Sequence, residues 1–169
     1  SALGDAEPAL ADVPLALHAS YTREEILAAL DWTSQGRVPN TMREGVAWCQ
    51  TVNADALLIT LKKSDTDYSP TTMYRDFALS PVLFHWESQS TTSSSSPTGQ
   101  RYLNHRENGS HILLFVREAK TNSLGTAPYV FLGPADYVTH EGDRPIAITW
   151  RLRRPMPMEM FIASRAAVA

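Results

Sequence analysis

Apolar residues fall along the chain in short blocks separated by polar, turn-rich stretches, and the blocks predict a strand-rich fold. Ala56-Leu57-Leu58-Ile59-Thr60-Leu61 is nearly continuous and runs into Lys62-Lys63-Ser64, the pattern of a buried strand ending in a polar turn. Phe77 to Trp86 is a second apolar stretch, interrupted at Ser80-Pro81. Ile112 to Val116 is the clearest strand, Tyr129 to Gly133 is a fourth block, and Ile146 to Leu152 alternates as a fifth. Helical periodicity is concentrated near the start. Thr22 and Glu25 have capping-box spacing, and Ile26, Leu27 and Leu30 then recur on one face before Gly36 and Pro39. Residues 1–19, rich in Ala and Pro, carry no period and read as a linker or disordered segment, with Leu15 and Leu17 packing only loosely. Residues 20–169 are expected to form one domain: an α+β fold with a curved mixed sheet or small β-barrel and flanking helices.

Composition narrows the chemistry more than the fold. With 169 residues, 43% hydrophobic and 20% charged, the chain is long enough for one well-filled core. The single cysteine excludes an internal disulfide and any Cys-rich zinc site, and Cys49, between Trp48 and Gln50 in an apolar stretch, reads as a buried structural thiol. The histidines at 18, 85, 105, 111 and 140 have no metal-ligand spacing. There is no GxxxxGK[ST] or GxGxxG phosphate loop and no GxSxG elbow. These sequences point to a binding domain rather than an enzyme, with no cofactor. No apolar run approaches the ~20 residues that span a bilayer, so a cytoplasmic protein with no membrane partner is expected. A net charge of −3 argues mildly against nucleic acid, but arginines gather late in the chain, at positions 101, 106, 117, 144, 151, 153 and 154, and the footprint that matters is local.

The concentrated signal lies in Tyr74-Arg75-Asp76-Phe77 and Phe84-His85-Trp86-Glu87-Ser88-Gln89-Ser90, where an aromatic strand flows into a polar edge. Trp86 and Tyr74 could stack on a base, a contact worth roughly 1–3 kcal/mol. Asp76 could accept from a cytosine amino group, with Gln89, Ser88 and Ser90 completing the edge contacts. The same aromatics could equally be core, a reading favoured for Phe77 and Phe84. Lys62, Lys63, Arg101 and Arg106, with Tyr102 between the last two, are candidates for backbone phosphates, although paired lysines in a turn are usually just solvated. The run from Ser88 to Gly99 is low in complexity and reads as a polar, mobile loop.

Several of these segments, together with Thr98-Gly99-Gln100-Arg101-Tyr102, Leu114-Phe115-Val116-Arg117-Glu118, Tyr129 to Pro134 and Ile148-Thr149-Trp150-Arg151-Leu152, resemble one family over roughly residues 20 to 160. It is the C-terminal domain of bacterial proteins that join a phospholipase-D-like nuclease to a superfamily II helicase. In modification-dependent (type IV) restriction enzymes of the SauUSI type, that domain recognises methylated or hydroxymethylated cytosine. The resemblance implies an SRA-like or PUA-like barrel, double-stranded DNA with modified cytosine as partner, and helicase and nuclease domains upstream in the same chain. The expected mechanism is flipping of the modified base into a pocket near Tyr74–Gln89. A sequence-independent nucleic-acid grip and a protein-docking module are the rival expectations.

Overall fold

The computed structural model describes residues 8–32, 45–62 and 76–167. Its elements are β1 (Ser20–Tyr21), α1 (Arg23–Ala29), β2 (Val46–Cys49), β3 (Ala54–Lys62), β4 (Phe77–Ala78), β5 (Leu83–Glu87), α2 (Pro97–Leu103), α3 (His105–Asn108), β6 (His111–Ala119), β7 (Thr121–Asn122), β8 (Gly125–Thr126), β9 (Tyr129–Glu141), β10 (Ala147–Leu152) and α4 (Met158–Ala167). The expected strands all form. The fourth block extends well past Gly133, and the expected first helix has its complete capping box, Thr22 and Glu25 each accepting from the other's backbone N–H.

Among the described residues the sheet is mixed and open, ordered β2-β3-β6-β9-β10-β5-β4, with β1 lying on β9 beyond the end of β10. Of the two expected architectures the curved sheet is therefore the one formed, and the barrel does not close. Strands β3 and β6 pair in parallel and the remaining neighbours antiparallel. Because successive side chains on a strand point to opposite faces, β3 sends Ala54, Ala56 and Leu58 into one core and Leu57, Ile59 and Leu61 into another. Burial on both faces explains why this strand reads as a continuous apolar run rather than an alternation.

The first core packs Ile26 and Leu27 of α1 on Leu113, Phe115 and Phe131, whose two phenyl rings stack at 4.7 Å. The second is lined by Leu114, Phe84, Trp86, Ile148 and Trp150 as β10 and β5 curl round it. Helix α4 closes over that core with Met160 and satisfies edge strand β4, since Ala78 N–H donates to Ser164 Oγ at 2.6 Å and Arg165 donates to Ala78 O. A bulge between Leu114 and Phe115 is matched by Gly133 at φ 93°, where a Cβ would meet Leu17.

Two expectations need correction. Residues 8–19 are part of the fold rather than a linker: Leu10, Val13 and Leu15 are buried in the first core, because that face of the sheet needs a cover which seven residues of α1 are too short to give alone. The Ser/Thr run is likewise no free loop. Ser88, Thr92 and Ser93 are buried, and Ser96 caps α2 with Pro97 in its first turn. The buried serine hydroxyls tolerate this because they are hydrogen-bonded, Ser88 Oγ donating to Gln89 O and Ser93 Oγ lying 3.2 Å from Ser95 Oγ. No described helix is long and apolar enough to cross a membrane.

Candidate functional site

One end of the sheet gathers most of the polar residues singled out by the sequence. There β5 ends at Glu87, β10 begins at Ala147 and β9 ends at Glu141, the three in register. The loops beyond are tied together. Ser88 N–H donates to Ile146 O at 3.0 Å, Ile146 N–H to Ser88 Oγ at 2.9 Å, Arg144 N–H to Thr92 O at 3.0 Å and Ser94 N–H to Asp143 at 2.6 Å. Helix α2 starts from this knot. Gly99 must be glycine, because a Cβ there would run into the Ser93 carbonyl.

Helices α2 and α3 and the far end of β9 enclose a cleft of about 500 Å³ lined by Gln100, Leu103, Asn104, Arg106, Glu107, Tyr137 and His140. Its side chains are pre-set. Gln100 Nε2 donates to Ser94 O and Asn104 Nδ2 to Gln100 Oε1, both at 2.6 Å, while Tyr137 Oη and His140 Nδ1 lie 2.7 Å apart. Beneath the cleft His105 fastens α3 to the sheet. Tyr137 N–H donates to His105 Nε2 at 3.0 Å, so the proton sits on Nδ1, 3.2 Å from Ser110 O. Burial pulls the His105 pKa below its ordinary value, in keeping with a neutral ring packed on Trp150.

Below α2 lies an ion pair. Asp55 is fully buried and takes both Arg101 Nε and a terminal nitrogen at 2.8 Å, while the guanidinium carbon sits 4.6 Å from the Trp48 ring centre. Burial pushes the Asp55 carboxyl up against the pull of Arg101. Burial also pulls on Arg101, and Asp55 more than offsets it, so the guanidinium is held above its ordinary value. A guanidinium keeps its proton at any physiological pH, and the fork geometry is that of an ionised pair.

The residues expected at a base pocket are placed unequally. Trp86 is 4% exposed and packs edge-on against Tyr102 at 5.4 Å, so both belong to the second core and hold α2 from below. Asp76 is buried and accepts Glu87 N–H at 2.9 Å. Ser88 is buried in the loop knot, Gln89 is half-buried and Ser90 exposed. Tyr74 and Lys63 lie outside the described residues. Of the expected phosphate contacts, Lys62 pairs with Glu118 at 2.6 Å and Arg101 faces Asp55, whereas Arg106 is exposed and lines the cleft. Gln100, Asn104, Tyr137 and His140 were not singled out from the sequence. Their one signal was the four-residue spacing of Gln100 and Asn104, legible only once α2 is known to be a helix.

The fold and cleft define an α+β domain built on an open mixed sheet, with a pre-organised polar cleft at one sheet end. Residues 15–163 match the family described as Domain of unknown function (DUF3427). The chain belongs to that family. A search among curated proteins finds no match to it.

Proposed function

We propose that this domain is a non-catalytic reader of double-stranded DNA that recognises 5-methyl- or 5-hydroxymethylcytosine as the specificity module of a helicase- and nuclease-bearing restriction protein. The observation that carries the reading is the cleft between α2–α3 and β9. Its volume of about 500 Å³ is in the range of small-molecule sites and takes one extruded nucleotide. Tyr137 and His140 offer ring faces, the Gln100 and Asn104 amides offer donors and acceptors for a base edge, and Arg106 offers a cation at the mouth. The family match is consistent with a helicase-associated domain.

Flipping a base costs a few kcal/mol of stacking and pairing, and one stacked base returns roughly 1–3 kcal/mol. A methyl group adds about 0.8 kcal/mol when buried, and shape-selective pockets gain about 1–3 kcal/mol from such a group. Discrimination over plain cytosine is therefore roughly tenfold to a hundredfold, to be sharpened by tethering to the motor and nuclease.

The test is competition binding to matched duplexes carrying cytosine, 5-methylcytosine or 5-hydroxymethylcytosine at two salt concentrations, with Asn104→Ala beside the wild type. A preference that survives salt and is lost in Asn104→Ala supports the reading. Equal binding that fades with salt replaces it with a general phosphate grip. Absence of DNA binding turns attention to a protein partner, for which the exposed Met158 and Ile162 on α4 offer an apolar face.

A further inference from the structure

At the opposite end of the sheet, where β6 runs out and the β7–β8 hairpin begins, a buried arginine has no carboxylate beside it among the described residues. Arg117 is 9% exposed, at the rim of the first core. Its Nε donates to Thr60 Oγ1 at 2.9 Å and one terminal nitrogen to Ala127 O at 3.1 Å. Its guanidinium carbon lies 4.3 Å from the centre of the Tyr129 ring. Arg23, at the start of α1, comes to the same ring: it donates to Tyr129 Oη at 3.1 Å, with its guanidinium carbon 6.0 Å from the centroid. Both hydrogen-bond acceptors of Arg117 are neutral. Burial pulls its pKa below the ordinary arginine value; Tyr129 opposes that pull and Arg23 adds to it.

A desolvated cation with no counter-charge costs several kcal/mol unless something neutralises it. Tying the hairpin to the sheet does not require a charge, since a neutral side chain could donate to the same Thr60 hydroxyl and Ala127 carbonyl. Arg23 brings a second guanidinium to the same ring, and its charge opposes that of Arg117. The planar fork of guanidinium matches tetrahedral oxyanions. We propose that Arg117 and Arg23, arranged about Tyr129, form a site for a phosphate oxyanion, supplied by a nucleic-acid backbone or by a free phosphoryl ligand. The site is independent of the cleft: Tyr129 begins β9, while Tyr137 and His140 lie near its end.

Thermal melts of the whole chain in inorganic phosphate and in chloride, at matched ionic strength, test the proposal. The wild type gains about 4 °C when phosphate exceeds its dissociation constant by about tenfold, and Arg117→Gln and Arg23→Gln gain nothing. Should Arg117→Gln fail to fold, Arg23→Gln, which changes a partly exposed residue, decides the matter alone. No phosphate-specific gain in the wild type, or the same gain in Arg23→Gln, overturns the site. Titrating a short duplex across a salt series then separates the sources. A salt slope lower by about one in Arg23→Gln assigns the phosphate to a nucleic-acid backbone. An unchanged slope beside a phosphate-specific gain assigns it to a free phosphoryl ligand.

Discussion

Arg101 and Arg117 stand near opposite ends of the same sheet, each mostly buried and each laid over an aromatic ring, yet their surroundings differ in one respect. Arg101 meets the fully buried carboxylate of Asp55 in a two-bond fork, whereas Arg117 meets a hydroxyl and a carbonyl. The consequences run in opposite directions: Asp55 holds Arg101 above its ordinary pKa, and burial draws Arg117 below its own. An arginine with its counter-charge built in is complete, and its task is to fix α2 against β3. An arginine left with neutral acceptors is complete only when an anion arrives. A buried position alone thus does not distinguish a structural cation from a binding one; the sign of what faces it does.

The same substitution at both positions gives the largest contrast. Arg101→Met strands the buried Asp55 carboxylate and is expected to cost about 3–5 kcal/mol in urea unfolding at neutral pH. Part of that loss should return on acidification. With its cation gone, the folded-state pKa of Asp55 lies above the unfolded value, so the folded protein binds the extra proton and the penalty fades as pH falls through that value. Arg117→Met removes an uncompensated charge and two hydrogen bonds of about 1 kcal/mol each, so its net cost should stay within about 1 kcal/mol. A loss at Arg117 as large as that at Arg101 would erase the distinction.

Gly99→Ala probes the same end from the backbone side. A Cβ at that position meets the Ser93 carbonyl, a backbone atom that cannot swing aside. Overpacking of this kind costs about 1–3 kcal/mol, read as a lower urea midpoint. It should also weaken duplex binding, because α2 carries Gln100 and Asn104 into the cleft. Duplex affinity that is unchanged despite the lost stability would separate the cleft from DNA binding.

How far these features were legible before the structure varies with the range of the physics involved. The capped helix at Thr22 and the five apolar blocks are local patterns, and each became an element except the second block, which split into β4 and β5. The start of helix α2 was hidden because the run from Ser88 to Gly99 reads as a polar loop, while the reason for Gly99 is a contact with Ser93 outside the helix. Residues 8–19 were misjudged because Leu10, Val13 and Leu15 have no period of their own and are fixed by the sheet face they cover. At the site, Trp86 was singled out for its neighbours in sequence, but alternation along β5 turns Phe84 and Trp86 inward together. Arg101 was legible as a cation and not as half of a pair, since Asp55 lies 46 positions away. Arg117 was legible as one of the late arginines and not as a buried cation, because nothing in Val116-Arg117-Glu118 reveals that Glu118 points to Lys62 on the other side of the strand.

His105 supplies a smaller, pH-dependent test of the cleft end. Its folded pKa lies below the ordinary 6.5 through burial, so the unfolded chain takes up protons first as pH drops. The stabilising contribution is therefore complete above about 6.5 and is lost as pH falls below that value towards the folded pKa. Protonation of Nε2 also ends its acceptance of Tyr137 N–H, loosening α3 from β9 and with it the cleft wall. His111 is lowered by burial as well and shifts stability with the same sign, so the wild type must be compared with His105→Gln. The variant should be less stable at pH 7 and show a shallower fall in stability between pH 7 and 5. Identical slopes in the two proteins would place the proton uptake elsewhere.

The smallest expected change in stability belongs to Arg106, and it sharpens the comparison from a third direction. Arg106 is a cation at a cleft mouth, exposed rather than buried, so water already solvates it and no counter-charge is needed to keep it there. Arg106→Ala should leave stability within about 0.5 kcal/mol of the wild type. If the cleft lies on the DNA, the duplex salt slope should fall by about one, with affinity lowered to a similar degree for modified and plain cytosine, as for a phosphate contact. A change in the ratio between the two duplexes would instead give Arg106 a part in reading the base, where Gln100 and Asn104 are expected to act. Three arginines would then mark three states of one side chain: neutralised within the fold, neutralised on binding an anion, and solvated until a strand of nucleic acid displaces its water.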